Sequence, residues 1–385
     1  MTGVTPPLPD TQDRTESLKF WLALSSIREI GPITIKKLLA KFHTPRNIMA
    51  ASKKELMQVS DVKESRAQAI REFNAWHQVE QEIDKIAGLG IRVVTLEDTD
   101  YPVALRQIDD SPALFYIKGQ MREEDSFAIG IVGSRNMTPY GRKVADIFSS
   151  ELALKGFTIV SGMAKGIDSS AHKGALRVKG RSIAVLGCGV DKPYPPENSG
   201  LLEELSQCGA VISEFPLGTA PLRENFPRRN RLISGLSLGV LIVEAAAGSG
   251  SLITANYALE QGKDIFAVPG NITSMNSIGT NDIIKKGAKL VQKVDDIIVE
   301  LAPLLKGMMN KSEQKTNTEL LTNLNALEIN DEERAICSVL GSETRHIDII
   351  SRETGIAAQK TSAHLLALEL RGIVRQTEGK RYYMV

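Results

Sequence analysis

The sequence is poor in cysteine and in net charge, and each shortage excludes a class of protein. Its 385 residues include only three cysteines, which are far apart and lack metal-ligand spacing, so we predict neither a disulfide framework nor a structural metal. Forty-seven Lys and Arg balance 46 Asp and Glu, which leaves a formal net charge of +1. Because no overall field attracts nucleic acid or an acidic membrane, any anion site must be a local patch.

Long hydrophobic runs are lacking as well. The most apolar stretch, "LISGLSLGVLIVEAAAG", is interrupted by serines, glycines and Glu244 before it reaches the roughly 18 apolar residues of a membrane helix. The first residues, "MTGVTPPLPD", have neither the basic nor the apolar region of a signal peptide, and we expect residues 1–15 to form a flexible tail. The sequence therefore predicts a cytoplasmic protein that does not contact a membrane.

Residues 16–90 repeat apolar residues at helical spacing and predict a small helical domain of the SAM or helix-hairpin-helix type. Within it, "IREIGPITIKKLL" has the Gly-containing turn that lets backbone N–H groups meet a phosphate. A second copy, "VSDVKESRAQAI", has Lys63 where the first has Gly31, and Asp61 adds negative charge. This departure favours a packing role for the two hairpins over DNA binding.

Residues 91–302 alternate short apolar runs, such as "FAIGIVGS" and "GVLIVEAA", with segments of helical period. Nearly continuous apolar character is typical of strands that are buried on both faces of a parallel sheet. We therefore predict an α/β domain with a Rossmann-like, doubly wound and mostly parallel sheet.

The rest of the chain predicts a linker over residues 303–330 and a winged helix over residues 331–385. Five basic and two acidic residues fall between 357 and 385, so this module carries a local net charge of +3. Winged helices bind DNA or dock on proteins, and the sequence leaves both roles open.

Three Gly-rich turns follow strands of the predicted sheet, where free N–H groups at helix starts bind anions. Glycine permits close backbone approach, hydroxyls donate hydrogen bonds, and cations grip phosphate. The predicted phosphate-binding residues of these turns are Gly133, Ser134 and Arg135; Gly162, Lys165 and Gly166; and Gly248, Ser249, Gly250, Ser251 and Thr254.

A cluster of cations lies in "NFPRRNRLISGL", directly before a buried apolar run. Several guanidinium groups on one rim suit successive phosphates, and an aromatic ring beside them offers a base a face for stacking. The candidate residues are Phe226, Arg228, Arg229, Asn230 and Arg231. Core packing of the ring, or pairing of one arginine with Glu214 or Glu244, is the structural alternative.

Catalytic signals are weak. The run "GCGVDKP" has Lys192 where a dinucleotide fingerprint needs its third glycine, and no Walker A loop is present, so no cofactor is predicted. Asp168 and His172 are four residues apart and could form an acid/base pair, but helix capping and packing explain them equally well. Cys188 has no histidine near it in sequence. We predict no catalytic residues.

Seven linked motifs between residues 95 and 300 resemble one family. They are "IVGSR", "SGMAKGIDSSAHKGAL", "AVLGCGVDKPYPPEN", "ISEFPLG", "FPRRNRLISGLS", "VEAAAGSGSLITANYALEQGKDIFAVPG" and "GTNDIIKKGA". In this order and spacing they resemble the bacterial DNA-processing protein A family, also called Smf.

The resemblance implies a homodimeric protein of natural transformation and recombination that binds incoming single-stranded DNA and helps load the RecA recombinase on it, without catalytic turnover. It places the DNA-contacting pocket on the "GSR" and "SGMAKG" turns and on "NFPRRNR". The alternative is a nucleotide-binding Rossmann-like enzyme of the nucleoside-monophosphate phosphoribohydrolase type. Against it, "AGSGSLITA" lacks the glutamate of the loop P-G-G-x-G-T-x-x-E.

Overall fold

A computed structural model describes residues 11–308, 330–340, 344–371, 373–377 and 379–384. The chain divides into two compact units, Met1–Ile298 and Val299–Val385, each of which has its own core.

The first unit begins with helices that pack around Trp21, Leu24 and Leu38, all fully buried. Short helices in this region start at side-chain caps: the hydroxyl of Ser52 accepts the backbone N–H of Glu55, whose carboxylate accepts that of Ser52. The helices are α1 (Thr11–Ser26), α2 (Pro32–Phe42), α3 (Pro45–Ala50), α4 (Lys53–Leu56), α5 (Glu64–Arg71) and α6 (Trp76–Gly88).

The first hairpin turns its lysines toward the protein itself. The ammonium group of Lys36 donates to the carbonyl oxygen of Ile108 at 3.0 Å, and Lys37 pairs with Asp61 of the second hairpin. Cations that are engaged in this way agree with the packing role that the sequence favours for the hairpins.

A nine-stranded sheet forms the centre of the first unit, in the order β1-β2-β6-β5-β4-β3-β7-β8-β9. The pairs β1–β2 and β2–β6 are antiparallel. All other neighbouring strands in this order, from β6 through β3 to β9, are parallel. The predicted doubly wound, mostly parallel sheet is confirmed. The strands are β1 (Arg92–Thr95), β2 (Leu114–Gly119), β3 (Ala128–Val132), β4 (Thr158–Ser161), β5 (Ser182–Val185), β6 (Ala210–Ser213), β7 (Gly239–Ile242), β8 (Asp264–Ala267) and β9 (Lys289–Leu290).

The strand order reverses at β3, because the chain proceeds from β3 through β6 on one side and resumes with β7 on the other. In such sheets the crevice beyond the carboxyl ends of the two strands at the reversal is the usual ligand site. Helices cover both faces of the sheet, as right-handed crossovers require. The helices that follow α6 in the first unit are α7 (Val103–Arg106), α8 (Pro139–Leu154), α9 (Ile167–Arg177), α10 (Ser199–Cys208), α11 (Asn225–Leu236), α12 (Gly250–Glu260) and α13 (Ile278–Lys285). Helix α14 (294–308) contains the boundary between the two units.

The second unit contains the predicted winged helix, whose small core is built from Ile336, Leu340, Ile350 and Leu365. Its three strands pair in the order β10-β12-β11. Its elements are α15 (Asp331–Leu340), β10 (Arg345–His346), α16 (Ile347–Thr354), α17 (Ala358–Leu370), β11 (Val374–Thr377) and β12 (Arg381–Met384).

Two expected boundaries differ from the structure. Helix α1 begins at Thr11, so residues 11–15 of the expected tail are helical, and residues 1–10 lie outside the described residues. Helix α14 continues to residue 308, where we expected a linker from residue 303, and 309–329 lie outside the described residues. Over the described ranges, no helix is long and apolar enough to cross a membrane, and no group of three His, Cys, Asp or Glu side chains is placed to hold a metal.

Candidate functional site

The Gly-rich turns after β3 and β4 meet at the carboxyl edge of the sheet. The backbone N–H of Ser134 donates to the carbonyl oxygen of Glu244 at 2.8 Å, and that of Ile167 donates to the carbonyl oxygen of Ser134 at 3.1 Å. A Cβ on Gly133 would lie 2.7 Å from the Ile167 side chain, and Gly166 has a φ of +85°. Glycine at these two positions is therefore required for the turns to approach each other.

The arginine cluster divides between the surface and the interior. Helix α11 begins at Asn225, so all three arginines are helical, but only Arg228 is exposed, while Arg229 and Arg231 have 3% and 5% of their surface accessible. A guanidinium at that depth cannot grip a strand of DNA. The prediction that Arg229 and Arg231 contact phosphate directly is therefore wrong, because the first turns of α11 pack against the sheet.

Arg229 connects the ends of β4 and β5 from the interior of the domain. Its Nη1 donates to the carbonyl oxygen of Gly162 at 2.5 Å and to that of Val185. These carbonyls belong to the residues that follow β4 and end β5, so one buried side chain holds both. Arg229 thus positions the "SGMAKG" turn.

Arg231 is the structural arginine that the sequence allowed for, and its partner is Glu214. Its Nη2 pairs with the Glu214 carboxylate, and its Nε lies 3.3 Å from the carboxylate of Asp110. Burial raises the pKa of Glu214, and the opposing charge of Arg231 lowers it. Because such a pair is costly to break on one side only, Arg231 ties α11 to the segments before β2 and after β6.

Of the cations that the sequence predicts for this edge, Arg135, Lys165 and Arg228 are exposed, and we call these three the cationic rim. The guanidinium carbon of Arg135 lies 5.2 Å from the ring centroid of Phe226, a cation–π distance. Lys165 forms an exposed ion pair with Glu197, with 2.6 Å between Nζ and Oε1. The rim draws on the β3 turn, the β4 turn and α11, so it crosses the ends of several strands.

Phe226 is half-buried and combines the two roles that the sequence left open. A Cβ on Gly187 would lie 2.9 Å from its ring, so one part of the ring packs on the backbone after β5. Its centroid also lies 5.6 Å from that of Tyr194, with the rings tilted at 41°. The pair forms an aromatic border beside Arg135.

The third Gly-rich turn, after β7, is open at its tip and closed at its base. Ser251 and Thr254 are buried, whereas a Cβ at Gly248 or Gly250 would meet nothing within 4 Å. The side-chain amide of Asn230, which is itself buried, donates to the carbonyl oxygen of Gly250 at 3.3 Å. The turn is therefore shaped from inside by Ser251, Thr254 and Asn230. This burial corrects the prediction that these three residues contact phosphate. The remaining candidates in the turn are Gly248, Ser249 and Gly250.

The acid/base candidates are buried beneath the rim. Burial raises the pKa of Asp168 to about 6 against the charge of Arg229, and lowers that of His172 to about 3. His172 Nδ1 lies 2.7 Å from the hydroxyl of Ser182, and burial raises the pKa of Cys188 to about 11. A neutral histidine and a protonated thiol, both enclosed, match packing roles.

Glu244 is the residue of this edge whose place the sequence did not predict. It follows β7 at the strand reversal, and its carboxylate accepts the backbone N–H of Thr138 at 2.9 Å and the Thr138 hydroxyl. Thr138 is the N-cap of α8, the helix start at which a Rossmann-like domain holds a nucleotide phosphate. The protein's own carboxylate occupies that position, which argues against the small-nucleotide alternative. The sequence feature that could have indicated this role is that Glu244 is a single acidic residue at the end of an apolar strand.

Comparison with known families agrees with these features. The family model "DNA recombination-mediator protein A" matches residues 92–302, which is more than half of the chain. The chain belongs to the DNA-processing protein A family. The DprA winged helix domain matches residues 322–380, and a helix-hairpin-helix motif matches residues 19–83.

Curated relatives match over most of their length. Protein Smf of Synechocystis is 34% identical, over 94% of this chain and 98% of that protein, and Protein Smf of Escherichia coli is 40% identical, over 72% and 74%. Among solved structures, DNA processing protein A of Streptococcus pneumoniae superimposes with a TM-score of 0.63 at 33% identity, covering 73% of this chain and 96% of that one.

The Helicobacter pylori protein of the same name, whose structure was solved for its single-stranded DNA binding mode, gives a TM-score of 0.50 at 32% identity. It covers 55% of this chain and 96% of that one.

Proposed function

We propose that this protein binds single-stranded DNA along the cationic rim of its Rossmann-like domain. The observation that carries the proposal is that three exposed cations from separate segments lie at one sheet edge, above a buried layer that positions them. A net charge of +1 makes this local clustering the main source of attraction for phosphates.

The proposed path continues onto two neighbouring features. Phe226 and Tyr194 border the rim with aromatic surface, on which bases of any identity can stack. The open tip of the β7 turn, from Gly248 to Gly250, leads into α12, which begins at Gly250, and presents the start of this helix to a phosphate. Contacts of both kinds are sequence-tolerant, so we expect affinity to depend weakly on base composition.

Family membership supports the finer parts of the proposal. We propose that the protein acts as a homodimer in the cytoplasm, in natural transformation and recombination, that it covers incoming strands and helps load RecA on them, and that it does so without catalytic turnover. Light scattering tests the dimer. The ATPase rate of RecA on strands already coated by a single-strand binding protein tests loading, and a rate that is unchanged on adding this protein rejects it.

The central experiment is fluorescence anisotropy of labelled single-stranded and duplex oligonucleotides across a salt series. For Arg135→Ala/Arg228→Ala we expect weaker binding of the single strand and a slope of log K against log salt that flattens by about 0.7 for each lost phosphate contact. The matched control is Lys155→Ala/Arg177→Ala, which removes the same charge from the opposite ends of α8 and α9.

If the rim variant and the control variant lose the same affinity for the single strand, the effect comes from overall charge, and the rim is rejected as the binding site. Wild type that does not bind single strands would reject the function itself, and release of base from nucleoside monophosphates would then support the enzyme alternative.

A further inference from the structure

A cavity of about 370 Å³ opens beside the cationic rim, between the turns that follow β3 and β8. Its wall includes Tyr140, Pro269 and Asn271, together with the half-buried Thr138 and the buried Glu244. Apolar cavities of about 150 Å³ hold benzene, so this space is large enough for a heterocyclic ring.

The cavity adjoins the rim through shared loops. Thr138 is three residues after Arg135, a reach of at most about 11 Å. The side-chain amide of Asn276 donates to the carbonyl oxygen of Asn136 at 2.8 Å, which ties the β8 turn to the β3 turn. A flexible strand on the rim therefore reaches the cavity within a few nucleotides.

Hydrogen-bonding chemistry decides which part of a nucleotide can enter. Glu244 is 97% buried, and its carboxyl group lines the cavity, to whose wall the described part of the chain contributes no Lys or Arg. A phosphate, whose oxygens are acceptors, would meet acceptor oxygens there without a cation to compensate. A group with N–H donors would find acceptor oxygens, each of which already accepts one hydrogen bond from Thr138 and has lone-pair capacity left.

An aromatic ring is fixed at the mouth. Tyr140 is the second residue of α8, half of its surface is exposed, and its hydroxyl donates to the carbonyl oxygen of Pro269 at 3.1 Å. Ile272 and Met275, on the same turn as Pro269, are 88% and 69% exposed. The turn that accepts the hydrogen bond of Tyr140 thus carries two exposed apolar side chains, and an exposed, tethered aromatic ring offers a face on which a base can stack.

We propose that this cavity, the Tyr140 cavity, receives one unpaired base of the strand bound on the rim, with the base against Tyr140 and its N–H donors toward Glu244. Every natural base carries an N–H donor on its Watson–Crick edge, so the cavity accepts all of them. In a duplex that edge is engaged by the opposite strand, so the cavity selects single-stranded over double-stranded DNA. The inference rests on the proposed function, because the rim must bring the strand.

The test measures the affinity of the full chain for a labelled oligothymidylate across a salt series. For Tyr140→Ala we expect the affinity to fall about five- to 150-fold, the equivalent of one base–aromatic stack of about 1–3 kcal/mol. The salt slope should stay at the wild-type value because no phosphate contact is lost. Tyr140→Phe, which keeps the ring, should bind nearly as wild type does.

Two controls separate this inference from others. Leu154→Ala removes an apolar side chain that is even more exposed than Tyr140, at the far end of α8, and should have no effect. An oligomer of N3-methylthymidine, probed with the unaltered protein, removes the N–H donor from every base and should bind more weakly than thymidylate.

Each outcome has one meaning. Wild type that does not bind oligothymidylate rejects the proposed function. If wild type binds, three results would reject the cavity as a base-binding site and leave the proposal for the rim intact. They are unchanged affinity in Tyr140→Ala, a flattened salt slope in that variant, and equal affinity for the methylated oligomer.

Discussion

The carboxyl edge of the sheet has two layers of charge that differ in almost every physical respect. In the cationic rim, Arg135 and Arg228 are exposed and rest against aromatic rings. In the layer beneath, Arg229 and Arg231 are buried, and each is held by carbonyls or carboxylates of other segments. Residues of one type, adjacent in sequence, thus have opposite tasks.

The difference follows from solvation. A guanidinium removed from water must have its charge and donors satisfied by the protein, and it then has nothing to offer to a ligand. A guanidinium at the surface loses little on leaving water for phosphate and can exchange one partner for another. The buried layer sets geometry and the rim supplies affinity, and the following changes test that division.

The largest effect is expected for Arg231→Ala, which leaves the buried carboxylate of Glu214 without its ion-pair partner. Breaking one side of a buried pair costs about 3–5 kcal/mol, whereas exposed Arg228→Ala should cost less than about 0.5 kcal/mol. Urea unfolding followed by circular dichroism measures both. If the two variants have similar free energies of unfolding, the proposed difference between the buried layer and the rim is wrong.

The second effect is a pH dependence specific to the buried layer. The pKa of His172 is about 3 in the folded protein and 6.5 as the ordinary value, so its stabilising contribution is complete above pH 6.5 and is lost as the pH falls toward 3. Asp168, with its pKa raised from 3.8 to about 6, acts in the opposite sense: its contribution is present below pH 3.8 and is lost as the pH rises through 6.

Comparison with His172→Gln isolates the histidine, because Asp168 is common to both proteins. The free energy of unfolding of wild type relative to the variant should fall by up to about 1.4 kcal/mol for each pH unit below 6.5. Unfolding curves collected from pH 7 to pH 4 measure this, and parallel pH profiles would show that His172 is not neutral and enclosed.

A smaller effect is expected within the rim itself. Glu197→Gln frees Lys165 from its exposed carboxylate partner, so single-stranded DNA should bind slightly more tightly at low salt, with the gain disappearing as salt screens the charges. Anisotropy at two salt concentrations measures this. Weaker binding by the variant would place Glu197 among the contacts to DNA instead.

The smallest effect should follow removal of residues 330–385. If the sheet edge is the primary site, the truncated protein keeps most of its affinity for single strands, with its salt slope nearly unchanged. A collapse of binding in the same anisotropy assay would move the primary site from the rim to the winged helix.

Much of the fold was predictable because local patterns carry it. Nearly continuous apolar runs such as "FAIGIVGS" are favourable only when buried on both faces, and the glycine turns after them mark the strand ends. The family could be identified from seven linked motifs for the same reason, since each motif is a local requirement of a turn or a strand. The positions of Gly133 and Gly166 at the edge also followed from turn chemistry alone.

The sequence by itself determined which residue types gather at the carboxyl edge: glycines that allow close turns, cations and one aromatic ring. Only the tertiary structure decided which of those cations face solvent, that Glu214 and not Glu244 holds Arg231, and that Glu244 instead occupies the helix start at the strand reversal. Burial and side-chain contacts depend on segments that are separated in sequence, by 17 residues for Arg231 and Glu214 and by 106 for Thr138 and Glu244, and no local pattern encodes their meeting.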